Sequence, residues 1–300
     1  MMRFRPVFVV LIGALGGTLT NAQLSFGPAR NLGDVINTPS IEVGPNLSAD
    51  SLTLYFVSDR PGGHSGTAEL WMSTRTTPRD PWRMAVNVGA PVNSHSAASP
   101  SISTDGLELF FDNGLRVRPG GLGAGDIWFA RRSTTARNWN EPENLGPVVN
   151  SPFNDGVPKL SRDGLALFFA SDRPGGSGQR DVWVTSRASR REPWTTPVNL
   201  GPAVNGPGND WCPAISPDAL RLIFQSDRPG GFGGDDFWMS TRTSPSATWT
   251  AAVHLGPEIN TPADEVKAEF SPDGRTLIFA SSRPRGHGAL DIWEVPILAP

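Results

Sequence analysis

A short phrase of the form Asn-Leu-Gly returns along the chain at nearly constant spacing. It begins at Asn31, Asn87, Asn144, Asn199 and His254, with intervals of 56, 57, 55 and 55 residues. A second phrase, of the type "DIW", ends at Trp71, Trp128, Trp183, Trp238 and Trp293. Self-similarity at a fixed period of this length is typical of repeat architectures. The chain therefore contains five copies of one structural unit.

Each unit is predicted to form four short strands. In the third unit these are "VPKLS", "LALFFAS", "DVWVTSR" and "WTTPVNLG", which are rich in β-branched and aromatic residues and are separated by Gly, Pro, Asp or Asn. The Asp-Gly pair between the first two strands favours a hairpin. A repeated unit of four antiparallel strands is typical of a propeller blade.

The two ends of the chain complement each other. The fifth unit stops after "DIWEVPILAP" and lacks a fourth strand, whereas "LSFGPARNLG" near the N-terminus resembles a fourth strand, with Phe26 where other units have Trp. We therefore predict an all-β, five-bladed propeller whose ring is closed by the N-terminal strand, since closure removes exposed sheet edges. The predicted domain is 23–300, with repeats of about 33–89, 90–146, 147–201, 202–256 and 257–300 plus strand 24–32.

The first 22 residues have the layout of a secretory signal peptide. A basic start, "MMRFR", precedes the apolar run "PVFVVLIGALGG" and a segment that ends in small residues, which predicts cleavage after Ala22. The apolar run is too short for a comfortable membrane span. We therefore expect an exported protein, periplasmic or extracellular, with no membrane span in the mature chain. Cys212 is alone, so no internal disulfide is expected.

Composition narrows the class of partner. Without Arg3 and Arg5 the chain has 24 basic and 29 acidic residues, which argues against nucleic-acid binding. Gly and Pro together make up 62 of 300 residues, as expected where turns are frequent. The sequence contains no "GxSxG", "HExxH" or phosphate-binding loop, and its blades are nearly uniform. From these features we expect no cofactor, no enzyme and a monomer.

Longer stretches carry a family resemblance. "SPDGRTLIFASSRPRGHGALDIW" (271–293), "SRDGLALFFASDRPGGSGQRDVW" and "NLGPVVNSPFNDGVPKLS" resemble the WD40-like repeat of TolB-type β-propellers, especially the version found in bacterial envelope proteins. The resemblance covers essentially the whole mature chain. It implies a propeller fold and, because such propellers mostly bind partners, a binding role.

The hexapeptide "SDRPGG" occurs three times and holds a repeated arginine. In all five blades this arginine is present, as Arg60, Arg118, Arg173, Arg228 and Arg283. An acid opens the first strand of four blades, as Glu42, Asp155, Asp210 and Glu265, and Ala97 takes its place in the second. These acids form either an acidic ring at one mouth of the channel or, as we favour, carboxylate–arginine pairs that close each blade.

A second set of acids precedes the third strand. Asp126, Asp181, Asp236 and Asp291 are predicted to accept hydrogen bonds from loop amides. "GGFGGDDFW" fits a calcium-binding nonapeptide, but that motif requires tandem copies that are absent here. His64, His95 and His287 lie in loops of different types, so we predict no metal site.

Tryptophan recurs at two repeated positions, the end of the "DIW" phrase and the fifth residue before the Asn-Leu-Gly phrase, the latter as Trp82, Trp139, Trp194 and Trp249. Trp211 is the only tryptophan outside these two positions. It either plugs the channel or stands at its mouth as an anchor for a sugar or peptide. The candidate binding residues are therefore Trp211, Asp210, Asp155, Glu42 and Glu265. Beside it, Cys212 is expected to be a buried apolar residue.

Three functions follow from these features. The first is an exported, non-catalytic propeller that binds a protein, peptide or glycan through its loop-rich face. The second is a carbohydrate-active enzyme, a glycosidase or lyase, in which ring carboxylates face an open channel free of arginine. The third is a structural or assembly module of the cell envelope.

Overall fold

The computed structural model describes residues 24–63, 68–114 and 116–298, so the predicted signal peptide and His64 lie outside the described residues. Within these ranges the chain is almost entirely β-structure, with one short 3₁₀ helix at Val92–Ser94. None of the described helices has the length and apolar character needed to cross a membrane. The predicted all-β class is confirmed.

Five antiparallel sheets form the blades, each with strands in chain order from the centre outward. The innermost strands are β3 (Glu42–Leu47), β7 (Ala98–Ile102), β11 (Asp155–Leu160), β15 (Asp210–Ile215) and β19 (Glu265–Phe270). The second strands are β4 (Thr53–Ser58), β8 (Glu108–Asp112), β12 (Ala166–Ser171), β16 (Arg221–Ser226) and β20 (Thr276–Ser281). The third strands are β5 (Glu69–Thr74), β9 (Ile127–Arg131), β13 (Asp181–Ser186), β17 (Asp236–Thr241) and β21 (Asp291–Leu298). The outer strands are β6 (Val86–Asn87), β10 (Glu143–Asn144), β14 (Val198–Asn199) and β18 (Val253–His254).

The N-terminal segment completes the fifth blade, as predicted. Strands β1 (Ser25–Phe26) and β2 (Arg30–Asn31) both pair antiparallel with β21, with Phe26 opposite Ile297 and Asn31 opposite Trp293. The two ends of the chain are thus joined by backbone hydrogen bonds, and the ring of five blades is closed. This arrangement confirms the five-bladed propeller.

The outer strands are shorter than predicted. In the third blade only Val198 and Asn199 pair with β13, although the sequence pattern favours a strand from residue 194. Regular pairing stops at the same place in the first and fourth blades, where Ala85 and Ala252 stand in the position of Pro197. Beyond it a single backbone hydrogen bond remains, from Thr195 N to the Ser186 carbonyl at 2.8 Å. Trp194 instead packs against the core, with the Arg187 guanidinium 4.4 Å from its ring.

Adjacent blades pack face to face through apolar side chains. Phe110 and Phe129 of the second blade, for example, pack with Leu160, Phe169 and Trp183 of the third. The inner strands of neighbouring blades contact one another around the central channel. Burial of these faces fixes the ring and leaves the ends of the channel as the places where side chains differ between blades.

Every inner strand contains a bulge at the same position. The equivalent residue of each strand, the third in four strands and the second in β7, has a left-handed φ between 50° and 66°, at Gly44, Ser99, Val157, Cys212 and Lys267. Non-glycine residues, and β-branched Val157 above all, rarely adopt this conformation. The bulge interrupts pairing with the second strand and brings residues of the inner strands to one mouth of the channel.

Candidate functional site

The four ring acids are paired with arginine inside the blades. In the third blade, Asp155 is fully buried and accepts hydrogen bonds from Arg173 and from the Ser171 hydroxyl at 2.6 Å. The Arg173 guanidinium also lies 5.3 Å from the centre of the Trp183 ring. Equivalent pairs join Glu42 to Arg60, Asp210 to Arg228 and Glu265 to Arg283. These carboxylates are therefore not free to face a substrate in the channel.

The second blade keeps the arginine without the acid. Ala97 is buried where other blades have a carboxylate, and Arg118 donates to the Val92 carbonyl at 3.1 Å instead. Its guanidinium lies 5.4 Å from the Phe111 ring and 5.1 Å from the Trp128 ring. The arginine thus occupies the same place between two aromatic rings as its counterparts in the other blades.

The acids that open the third strands hold the preceding loops. Asp236 accepts hydrogen bonds from the amides of Phe232 at 2.8 Å and Gly233 at 3.1 Å. Loop amides are bound in the same way by Asp126, Asp181 and Asp291. These contacts account for the glycine-rich loops without a bound ion. Across the described ranges, no group of three or more His, Cys, Asp or Glu residues is placed to hold a metal.

A cavity of about 240 Å³ opens at the mouth where the bulges lie. Its wall includes half-buried Trp211 and the small residues Ala98 and Gly156, which occupy the same inner-strand position as Trp211 in their own blades. Small side chains on two blades therefore leave room for the large ring of the third. Trp211 borders the space and leaves it open.

Asp112 is a carboxylate in this cavity that is not paired with arginine. Its two oxygens accept hydrogen bonds from the backbone amides of Gly114 at 2.7 Å and Val157 at 2.8 Å. The equivalent residues of the other blades, each one before the strand-end serine, are Val57, Ala170, Gln225 and Ala280. Asp112 is thus a departure from the repeat.

Two cations line the same cavity. Lys267 donates from Nζ to the Ser99 hydroxyl at 2.9 Å, and the Arg180 guanidinium lies 5.1 Å from the Trp211 ring. In the part of the chain that the structure describes, neither cation has a carboxylate within ion-pairing distance. The cavity therefore combines an aromatic ring, one carboxylate that arginine does not pair, and two cations that form no ion pair with a described carboxylate.

An adjoining cleft carries a second carboxylate. Trp211 and Arg180 line this cleft together with Asp235. Burial raises the pKa of the Asp235 carboxyl, and the charges of Asp227 and Asp264 raise it further. The Trp211 indole and the Gln225 amide lie close by and act in the opposite direction. A raised pKa favours the protonated form of the Asp235 carboxyl relative to an ordinary aspartate.

Polar groups beside Asp235 are buried without partners. Trp211 Nε1 and both amide atoms of Gln225 make no hydrogen bond of normal geometry among the described residues. Gln225 is fully buried, and buried polar groups are usually hydrogen-bonded. Unsatisfied groups at this place are consistent with a site that a polar ligand completes.

Cys212 lies beside Trp211 but is not a candidate nucleophile. The side chain is 2% exposed, and burial raises the pKa of its thiol to about 12. The thiolate is the reactive form of cysteine, so this group is inert at neutral pH.

Sequence reasoning identified Trp211 but missed Asp112, Asp235, Lys267 and Arg180. The signal was present, because each occupies a repeat position at which its blade differs from the others. Position-by-position alignment of the second strands places Asp112 beside residues such as Val57 and Ala170.

Comparison with known proteins gives structural matches alone. The sequence matches no protein-family model and no curated protein. TolB from Acinetobacter baumannii matches 86% of the chain with a TM-score of 0.51 and 14% identity, and the chain spans about half, 54%, of that protein. An α-L-arabinofuranosidase from Podospora anserina, solved with cellotriose, matches 93% of the chain and 97% of its own length with a TM-score of 0.58 and 13% identity.

A thermostable family-43 glycoside hydrolase is equally similar, with a TM-score of 0.59, 10% identity, and coverage of 88% of this chain and 92% of its own. The expectation that the chain is not an enzyme was therefore wrong, because the same ring occurs in glycosidases. The uniformity of the blades reflects the fold, whereas function depends on the particular side chains that the fold carries. The TolB resemblance stands as a structural similarity, and the fold that all these chains share is the β-propeller.

Proposed function

We propose that this chain is an exported carbohydrate-active propeller that binds a glycan at the channel mouth and hydrolyses a glycosidic bond there. The observation that carries the proposal is the position of Trp211. Its ring lines both the cavity that contains Asp112 and the cleft that contains Asp235. A sugar packed on this ring lies between two carboxylates that the arginine network does not use.

An aromatic ring with a polar edge suits a sugar. The apolar face of a pyranose or furanose ring packs on the indole, while its hydroxyl groups need hydrogen-bond partners. The Asn154 side chain at the cavity wall offers such a group. A concave site that combines apolar surface with a few converging polar groups is typical of small-ligand binding.

The two carboxylates differ as glycoside hydrolysis requires. One acid must protonate the leaving oxygen, and a second carboxylate must act as base or nucleophile. Burial raises the pKa of Asp235, which suits the proton donor. Asp112 accepts two hydrogen bonds from backbone N–H groups. An ionised carboxylate, which has only acceptor atoms, is suited to this environment. Asp112 is therefore assigned as the base or nucleophile.

Export places the enzyme with its substrate. The signal peptide predicted at 1–22 directs the chain out of the cytoplasm. Polymeric glycans of envelopes and cell walls occur outside the cytoplasm, where the exported chain meets them. The ring acids Asp155 and Asp210 have a structural role in this proposal, since arginine occupies them.

Release of reducing ends from a panel of polysaccharides tests the proposal. The protein 23–300 is expected to cleave at least one of them, and Asp112→Asn and Asp235→Asn are each expected to reduce the rate by about 10²–10⁴-fold. Glu141→Gln, a change at an exposed carboxylate outside both clefts, serves as the matched control and is expected to retain full activity.

Trp211→Ala separates binding from chemistry. Loss of the stacking surface is expected to weaken glycan binding, measured by calorimetry, by about 10- to 100-fold. Binding without cleavage of any polysaccharide, or cleavage that persists in both asparagine variants, would show that Asp112 and Asp235 are not the catalytic pair.

A further inference from the structure

We infer that the glycan carries carboxylate groups, as uronic acids do, and that Lys267 recognises them. This inference rests on the proposed function and names the substrate class of the same site. It follows from the two cations of the cavity, which neutral sugars do not require. Neither Lys267 nor Arg180 takes part in the hydrolysis proposed above.

Lys267 is placed at the mouth by the bulge of the fifth inner strand. The equivalent residues in the other blades are Gly44, Ser99, Val157 and Cys212, so only the fifth blade has a charge there. Lys267 retains a left-handed φ of 52°, although glycine would adopt this conformation without strain. The same conformation occurs at this position in all five inner strands, so it belongs to the fold, and it is the side chain, a lysine at the cavity wall, that sets the fifth blade apart.

The ammonium of Lys267 has hydrogen-bonding capacity to spare. It donates to the Ser99 hydroxyl across the channel, which fixes the position of the chain end. An ammonium has three N–H donors, so two remain for a ligand. A ligand carboxylate in the cavity would accept them as charge-assisted hydrogen bonds.

Arg180 supplies a second cation at the rim. Its guanidinium lies over the Trp211 ring, and its N–H groups make no hydrogen bond with the described residues. Gly125, Asp235 and Leu290 hold the equivalent position in three other blades, so the positive charge is specific to the third blade among these. A planar guanidinium is well suited to bind a carboxylate with two parallel bonds.

The charges of the cavity leave an excess of positive charge. Within this cavity Lys267 and Arg180 face a single carboxylate that arginine does not pair, Asp112, because Asp155 is paired with Arg173. Arg180 also borders the adjoining cleft with Asp172, Asp227 and Asp235, whereas Lys267 lines the cavity and not that cleft. Lys267 is therefore the cation that an acidic group in the cavity would meet. The repeated arginines of the blades are all bonded to acids or carbonyls, in contrast to Lys267 and Arg180. An anionic sugar therefore complements the mouth better than a neutral one.

A matched pair of ligands tests the inference. The probes are an oligouronate and the same oligosaccharide after reduction of its carboxyl groups, titrated into the Asp112→Asn variant so that neither is cleaved. We expect the acidic form to bind about 10- to 100-fold more tightly, from one or two charge-assisted hydrogen bonds. This preference should decrease as the salt concentration rises.

Lys267→Met is expected to abolish most of the preference while it leaves binding of the reduced oligosaccharide unchanged. Arg79→Met, a change at an exposed cation away from the cavity, serves as the control. Lys267→Gln provides a second, polar replacement, and thermal unfolding of each variant verifies the fold. Equal binding of both ligands, or an undiminished preference in both Lys267 variants, would overturn the inference and leave glycan hydrolysis intact. Binding of neither ligand would also overturn the inference, whereas the polysaccharide panel decides on hydrolysis separately.

Discussion

Replacement of Asp155 by alanine is expected to lower the free energy of unfolding by about 3–5 kcal/mol. The Arg173 side chain is 13% exposed, and Asp155 is its buried carboxylate partner. Removal of that partner leaves a guanidinium charge in the blade interior, and it also removes the acceptor of the Ser171 and Ser151 hydroxyls. Urea unfolding followed by tryptophan fluorescence measures the change.

The second blade supplies the natural comparison for this variant. There Ala97 stands in place of the acid, and Arg118 is held by backbone carbonyls and two aromatic rings. The double variant Asp155→Ala/Arg173→Met removes the buried charge together with its partner and should be more stable than Asp155→Ala alone. Arg221→Ala breaks an exposed ion pair with Asp218 and should cost less than about 1 kcal/mol. A similarly small effect for Asp155→Ala would show that the buried pair does not hold the blade.

A chain that begins at residue 33 is expected to lose the stable, monodisperse ring. Without strands β1 and β2, the outer edge of β21 has unpaired backbone groups, and the buried side chains of Leu24 and Phe26 are missing from the core. Loss of a buried aromatic side chain alone typically costs about 3–5 kcal/mol, and an open strand edge favours association between chains. Thermal unfolding and light scattering of 33–300 against 23–300 test this.

Addition of the missing strand in trans provides the control. A peptide of residues 23–32 should pair with β21 and raise the melting temperature of the truncated protein, since strand addition restores the same hydrogen bonds. A scrambled peptide of the same composition should have no effect. If 33–300 melts with the same midpoint as 23–300 and stays monomeric, the N-terminal strand does not close the ring.

The sequence predicted the scaffold because each blade repeats the same physical solution. Trp183 and Asn199 recur at fixed spacing since they pair across the third and fourth strands, and the Asp-Gly turn marks the hairpin. The fifth blade takes its outer strand from the N-terminal segment, and this too was predicted, because Phe26 stands where the other repeats have Trp. The length of the outer strands was overestimated, because the apolar pattern does not show where regular pairing gives way to a single hydrogen bond, such as that from Thr195 to Ser186.

The site was harder to predict because it is built from differences between blades. The abundant acids drew attention, yet Asp155 and Asp210 are buried with arginine. Trp211 stood out because tryptophan is rare outside the repeat. Asp112 and Lys267 did not, since Asp112 ends a second strand and Lys267 lies in the inner strand of another blade. The two residues line one cavity only when the blades meet around the channel, which no local pattern reveals.

A crystal structure of the Asp112→Asn variant with a bound acidic oligosaccharide tests the central claim most directly. We predict one sugar ring packed on Trp211, its carboxylate within hydrogen-bonding distance of Lys267 Nζ, and the scissile oxygen beside Asp235. An oligosaccharide bound elsewhere, such as in the arginine-lined groove near Trp194 between the second and third blades, would contradict the assignment of the channel mouth as the active site.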